Sequence, residues 1–123
     1  TIPTRHPTPT GQAQFRKKLI EQWGGCAVTR FRDTRFFGGF TLKALVKSDN
    51  QERLDPFNGF LLLPNLDKVF DLGYITFGAT GKIWISTELE DTEPLGIHDR
   101  LQARLELQHQ GYLEYHRDIV FKP

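Results

Sequence analysis

At 123 residues and 14.2 kDa, with 38% hydrophobic content, the chain has the size and apolar material of one domain with one modest core. Sixteen Lys and Arg against fifteen Asp and Glu leave a formal charge of +1, which excludes a bulk electrostatic signal for a polyanionic or polycationic partner. The single cysteine, Cys26, excludes an internal disulfide framework or a multi-cysteine zinc knuckle, and neither an apolar run of ~18 residues nor a secretory leader pattern is present.

The charge is unevenly placed. Up to Arg53 there are ten basic and four acidic residues, a surplus of +6, and the remainder carries −5. A basic half beside an acidic half suits a phosphate-contacting face next to a carboxylate-rich site, and equally suits two solvated faces. The missing initiator Met is the pattern of an excised fragment or a processed chain, or of a cloning or numbering artefact.

Residues 1–10, with three prolines and four threonines, read as a tail or linker, and a single domain is expected over 11–123. From Gln12 to Trp23, the four-residue spacing of Phe15, Leu19 and Trp23 predicts an amphipathic helix stopped by Gly24-Gly25. Cys26-Ala27-Val28 reads as a short buried strand with an inert packed thiol. Gly38-Gly39 is expected to break the apolar stretch Phe36 to Val46 into two pieces, and Lys47 to Gln51 is turn-like. Gly59 to Leu63 is an apolar run of strand length terminated by Pro64. Leu66, Val69 and Phe70 at offsets of three and four predict a two-turn helix from Asn65 to Asp71 that ends at Gly73. Tyr74 to Phe77 and Lys82 to Ser86 form a hairpin through Gly78-Ala79-Thr80-Gly81. Glu88 to Pro94 is an acidic connection, and a last helix follows Gly111. The sum is a small α+β domain.

None of His6, His98, His109 and His116 forms a ligand pair at metal-site spacing. His116, at helical spacing among Tyr112, Tyr115 and Ile119, reads more readily as a packed histidine donating to a backbone carbonyl than as a catalytic one. Among the carboxylates Asp33, Asp55, Asp67 and Asp71, the last two stand four apart and share a helix face. Together they suit a hard divalent cation whose shell water completes; the alternative is an exposed Asp67 and an Asp71 that anchors a turn.

The run Asn58-Gly59-Phe60-Leu61-Leu62-Leu63-Pro64-Asn65-Leu66-Asp67-Lys68-Val69-Phe70-Asp71-Leu72-Gly73-Tyr74-Ile75-Thr76-Phe77 strongly resembles the second half of the HNH endonuclease domain found at the C-terminus of many bacterial restriction endonuclease-like proteins. Gln14-Phe15-Arg16 with Leu19, Cys26-Ala27-Val28-Thr29, Glu52-Arg53-Leu54-Asp55-Pro56, and Tyr112-Leu113 with His116-Arg117 and Phe121 are similar to the family pattern in order and spacing, over roughly residues 11–121. The resemblance implies a ββα-metal fold that cradles one divalent cation, Mg²⁺ or Mn²⁺, against the scissile phosphate of double-stranded DNA. It implies that Asn58 orients the loop carrying the base and that Asp67 is the helix ligand, with Asp71 a weaker second. It also implies a bacterial, cytoplasmic protein of restriction or defence, with no membrane contact and a further N-terminal recognition domain.

The sequence departs from the family at one decisive place. After the two apolar residues matched by Phe36 and Phe37, the family has Ala-Ser-His-Ile-Lys-Pro-Trp, whereas this chain has Gly39-Phe40-Thr41-Leu42-Lys43-Ala44-Leu45. Thr41 therefore stands at the position of the general-base histidine, and its hydroxyl cannot accept a proton near neutral pH. A local frame change or mis-recorded segment is the alternative origin of this departure. Arg30 also replaces a family glycine. The favoured expectation is a degenerate HNH domain that contacts DNA through Arg30, Arg32, Arg35, Lys43, Lys47 and Arg53. The alternatives are an active nuclease with a substitute base from His98, His109 or His116, and a structural platform with the stretch from Glu88 to Glu93 as its partner surface.

Overall fold

The computed structural model describes residues 9–33, 35, 37–41, 49, 51–52 and 55–123, with the side chains of 9–13 and 38–41 outside the description. Helix α1 spans Pro9–Trp23, three residues longer at its start than the apolar spacing indicates. Leu19 and Trp23 are buried and Phe15 packs beside them, because residues four apart fall on one side of a helix. That side lies across Gly59. A Cβ there would come within 2.7 Å of Leu19 and 2.9 Å of Phe15, and the Trp23 indole N–H donates to the Gly59 carbonyl at 3.2 Å. Gly59→Ala is accordingly expected to destabilise the fold by about 1–3 kcal/mol through overpacking, measured as the shift in a urea unfolding midpoint.

Strand β1 (Gly38–Thr41) pairs antiparallel with β2 (Gly59–Leu62), Gly38 opposite Leu62 and Thr41 opposite Gly59. The glycine pair thus lies within a strand instead of breaking one. Ladder bonds are made by backbone groups that glycine also carries, and the pairing partner lies about twenty residues away, beyond the reach of local periodicity. Pro64 occupies the first turn of α2 (Pro64–Asp71), where its missing N–H costs nothing. Leu66, Val69 and Phe70 on α2 are buried, and Phe70 meets Phe60 of β2 at 5.4 Å between ring centres. β1, β2 and α2 make a ββα unit.

Strands β3 (Ile75–Phe77) and β4 (Ile83–Ile85) form the expected hairpin, Thr76 opposite Trp84. Phe77 closes an aromatic core with Phe60 and Phe70 at 5.6 and 5.9 Å. The last helix, α3 (Gln110–Tyr115), continues into a wide π-type turn over His116–Val120, closed by the Phe121 N–H donating to the His116 carbonyl at 2.9 Å. The widened turn brings His116 inward onto Phe70. Gly73, at φ 85°, follows α2 in the left-handed conformation that glycine tolerates, and its carbonyl accepts the Lys122 N–H at 2.8 Å. This α+β architecture is the one read from the sequence.

One segment folds differently from its expectation. Residues 27–29 are a turn, not a strand: the Arg30 N–H donates to the Cys26 carbonyl at 2.9 Å, the Cys26 N–H to Phe31 at 2.8 Å, and the Ala27 N–H to Leu61 at 2.8 Å. Cys26 and Ala27 are buried and Val28 half-buried, but the chain doubles back on itself. Cys26 is buried, its sulfur accepting the Thr29 N–H at 3.4 Å.

Candidate functional site

Asp67 lies in the first turn of α2, on the ββα unit. Its Oδ1 is inaccessible to solvent and has no hydrogen-bond partner among the described residues. Burial, reinforced by the charge of Asp71 one turn along, pushes the Asp67 carboxyl up to about 6. The shared helix face is therefore present, with the roles of the bland reading reversed: Asp67 is the partly buried group and Asp71 is exposed. A carboxylate oxygen withdrawn from water without a donor is an energetic cost, and it suits a hard cation that accepts one or two carboxylates with water and phosphate as its other ligands. It does not suit a closed zinc site, since no group of three His, Cys, Asp or Glu side chains converges among the described residues.

Asn58 is fully buried just before β2. Its Nδ2 donates to the Glu52 carbonyl at 3.0 Å, and its N–H donates to the Asp55 carbonyl at 2.9 Å. Asp55 caps this turn by accepting the Phe57 N–H at 2.9 Å, and its other oxygen accepts the Tyr112 hydroxyl proton at 2.8 Å. Burial of the phenol, and then the Asp55 carboxylate it donates to, hold Tyr112 above its usual range. The Asp55–Tyr112 contact, which ties the loop to α3, escapes sequence reasoning; Asp before Pro signals the turn but not its distant partner. Thr41 is placed by backbone register opposite Gly59, adjacent to Asn58. Asn58, Thr41 and Asp67 thus share one ββα unit.

The histidines lie elsewhere. His116 is 1% exposed and stacks on Phe70 at 3.7 Å and 3°. Its Nε2 donates to the Phe70 carbonyl at 2.8 Å and its Nδ1 accepts the Thr76 hydroxyl proton at 2.8 Å, an arrangement that fixes one neutral tautomer. Burial depresses it to about 4. A buried imidazole with both nitrogens engaged is the packed histidine of the first reading, with its ring turned into the core. His109 is also buried, accepting the Glu106 N–H at 2.9 Å and stacking on Trp23 at 5.1 Å, and burial lowers its pKa. His98 is exposed, its Nδ1 accepting the Arg100 N–H at 3.2 Å. His6 lies outside the described residues.

Of the basic candidates, Arg30 and Arg32 are exposed. Arg35 is paired with Asp33 at 2.6 Å, which lowers the Asp33 carboxyl and raises the guanidinium. Lys43, Lys47 and Arg53 lie outside the described residues. Arg30 has φ 68° and is the sole non-glycine residue of positive φ among those described. Its N–H closes the five-residue turn onto Cys26, the left-handed position where glycine is the default. The tight turn survives with arginine in it. An open cleft of about 530 Å³ is lined by the carboxylates of Glu52, Glu114 and Asp118 with Tyr112 and Tyr115 among the described residues.

Among the described residues no helix is long and apolar enough to cross a membrane. Among curated proteins, none matches the chain. Residues 26–78 match the family model described as HNH endonuclease, a segment that runs from the Cys26 turn through both strands of the ββα unit, Asn58, Asp67 and β3. The match supports an HNH endonuclease domain over residues 26–78.

Proposed function

We propose that the chain is a catalytically impaired HNH domain that binds double-stranded DNA within a bacterial restriction or defence protein. The observation that supports the impairment is the position of Thr41, opposite Gly59 in the strand register and so one residue from Asn58 in the paired segment, with none of the described histidines on the ββα unit. A threonine hydroxyl titrates far above neutral pH and leaves the attacking water without a base. Asp67 would hold the divalent cation, Mg²⁺ or Mn²⁺, with Asp71 adding negative charge nearby. When bound, such an ion stabilises charge on the phosphate and the leaving oxygen. Asn58 fixes the loop between Glu52 and β2. What the chain retains is binding and orientation; what it lacks is the proton acceptor.

Arg30 supports the DNA reading. A non-glycine residue in the left-handed region costs about 1–2 kcal/mol, so Arg30 sits at its turn against the preference of the backbone. Its guanidinium is exposed beside Arg32. Arg30→Gly is expected to raise stability by up to about 1 kcal/mol while weakening duplex DNA binding and lowering the slope of log K against log salt by about one. Thermal melts and anisotropy titrations from 50 to 200 mM salt measure the two effects. Absence of duplex binding even at low salt would sink the proposal.

A further inference from the structure

The β3–β4 hairpin carries a surface that the nuclease reading does not use. Trp84 is 45% exposed while its strand neighbour Ile83 is buried. The indole lies across Gly78, where a Cβ would fall 2.8 Å from its Nε1, and meets Phe121 at 6.1 Å between ring centres. The Arg117 guanidinium stands 5.8 Å from the ring centre and is held there by donation to the Phe77 carbonyl at 2.9 Å. Lys122 places its ammonium 4.8 Å over the Tyr74 ring, its backbone anchored to Gly73. Neither cation has a carboxylate within ion-pair distance among the described residues.

An accessible indole with the Arg117 guanidinium at its ring, and a second cation, Lys122, over Tyr74 at the start of the same hairpin, is an arrangement that takes a base by stacking and its phosphates by charge. A purely apolar protein partner would have no use for the cations. Gly73, to which Lys122 is tied, follows the end of α2, the helix that carries Asp67. We infer that Trp84, Arg117 and Lys122 form a contact for an unpaired nucleic-acid strand. The inference rests on the nucleic-acid reading of the domain for the class of ligand, but its surface is separate from Asp67 and Arg30.

The test titrates the intact chain with a labelled thymidine oligomer of about fifteen nucleotides and, in parallel, with a duplex of the same length. The oligomer is expected to quench indole emission, and Trp84→Leu to weaken oligomer binding roughly tenfold while duplex affinity stays within about twofold. Trp84→Phe, which keeps a stacking face, should recover most of the loss, and Arg117→Gln should lower the salt slope for the oligomer by about one. Unchanged oligomer affinity in Trp84→Leu, or duplex binding with no oligomer binding, overturns this inference and leaves the nuclease reading standing. Binding of neither nucleic acid overturns both.

Discussion

Thr41→His is expected to raise Mg²⁺- or Mn²⁺-dependent nicking of duplex DNA by roughly 10²–10⁴, the usual worth of a positioned general base. Thr41 is the last residue of β1 and faces Gly59 across the ladder, adjacent to Asn58, while Asp67 projects from the helix that follows the same β2 strand. On the proposed reading, the substitution returns a proton acceptor to the strand position paired with Gly59. Plasmid nicking by Thr41→His, with a Thr41→His, Asp67→Asn double variant prepared alongside to expose contaminating nuclease, reads the effect. A Thr41→His protein that binds DNA and nicks no faster than wild type would show that the defect lies elsewhere.

Asp67→Asn is expected to stabilise the metal-free protein while removing its response to divalent cations. The carboxyl is pushed up to about 6 from an ordinary value of 3.8, by burial first and by Asp71 second. Its protonated form is the one the fold prefers, so this contribution to stability is complete below 3.8 and is lost as pH rises through 6. The charged form at neutral pH then costs about 1–2 kcal/mol once solvent screening of a partly exposed group is allowed for, and the variant should gain about 3–8 °C in Tm. Removing the metal with a chelator should lower wild-type Tm and leave the variant unchanged.

His116 works in the opposite direction over the same pH window. Depressed to about 4 from 6.5 by burial, it contributes stability that is present above 6.5 and lost as pH falls through 4, amounting to about 3 kcal/mol. The wild-type protein should therefore show a shallow stability profile between about pH 4 and 6.5, because the two groups oppose each other. Asp67→Asn should expose the histidine, with stability falling steeply toward acid. Chemical denaturation across that range measures both profiles, and a variant as flat as wild type would contradict the burial assigned to either group.

The elements legible in the sequence are those fixed by local chemistry. The apolar stripe of α1, the Gly59 to Leu63 run closed by Pro64, the stop at Gly73 and the β3–β4 hairpin all follow from side-chain spacing and turn residues within a few positions of one another. What escaped depends on distant partners. The Gly38-Gly39 pair looks like a break until Leu61 and Leu62 supply its ladder, and Cys26-Ala27-Val28 looks like a strand until Arg30 adopts a positive φ. The candidate site divides similarly. Family spacing singles out Asn58, Thr41 and Asp67, but only packing leaves the Asp67 oxygen without a donor and sinks His116 against Phe70. Trp84 reads as one more strand aromatic, because Arg117, which flanks it, comes 33 residues later in the chain.

The most direct test of the account is plasmid nicking by the wild-type chain in Mg²⁺ and in Mn²⁺, beside an Asn58→Ala, Asp67→Ala double variant purified identically. The account expects both proteins to give the same trace of cleavage or none, with duplex binding present in the wild type. Cleavage by the wild type that disappears in the double variant would contradict it, and would mean that the ββα unit has an effective base where Thr41 offers none.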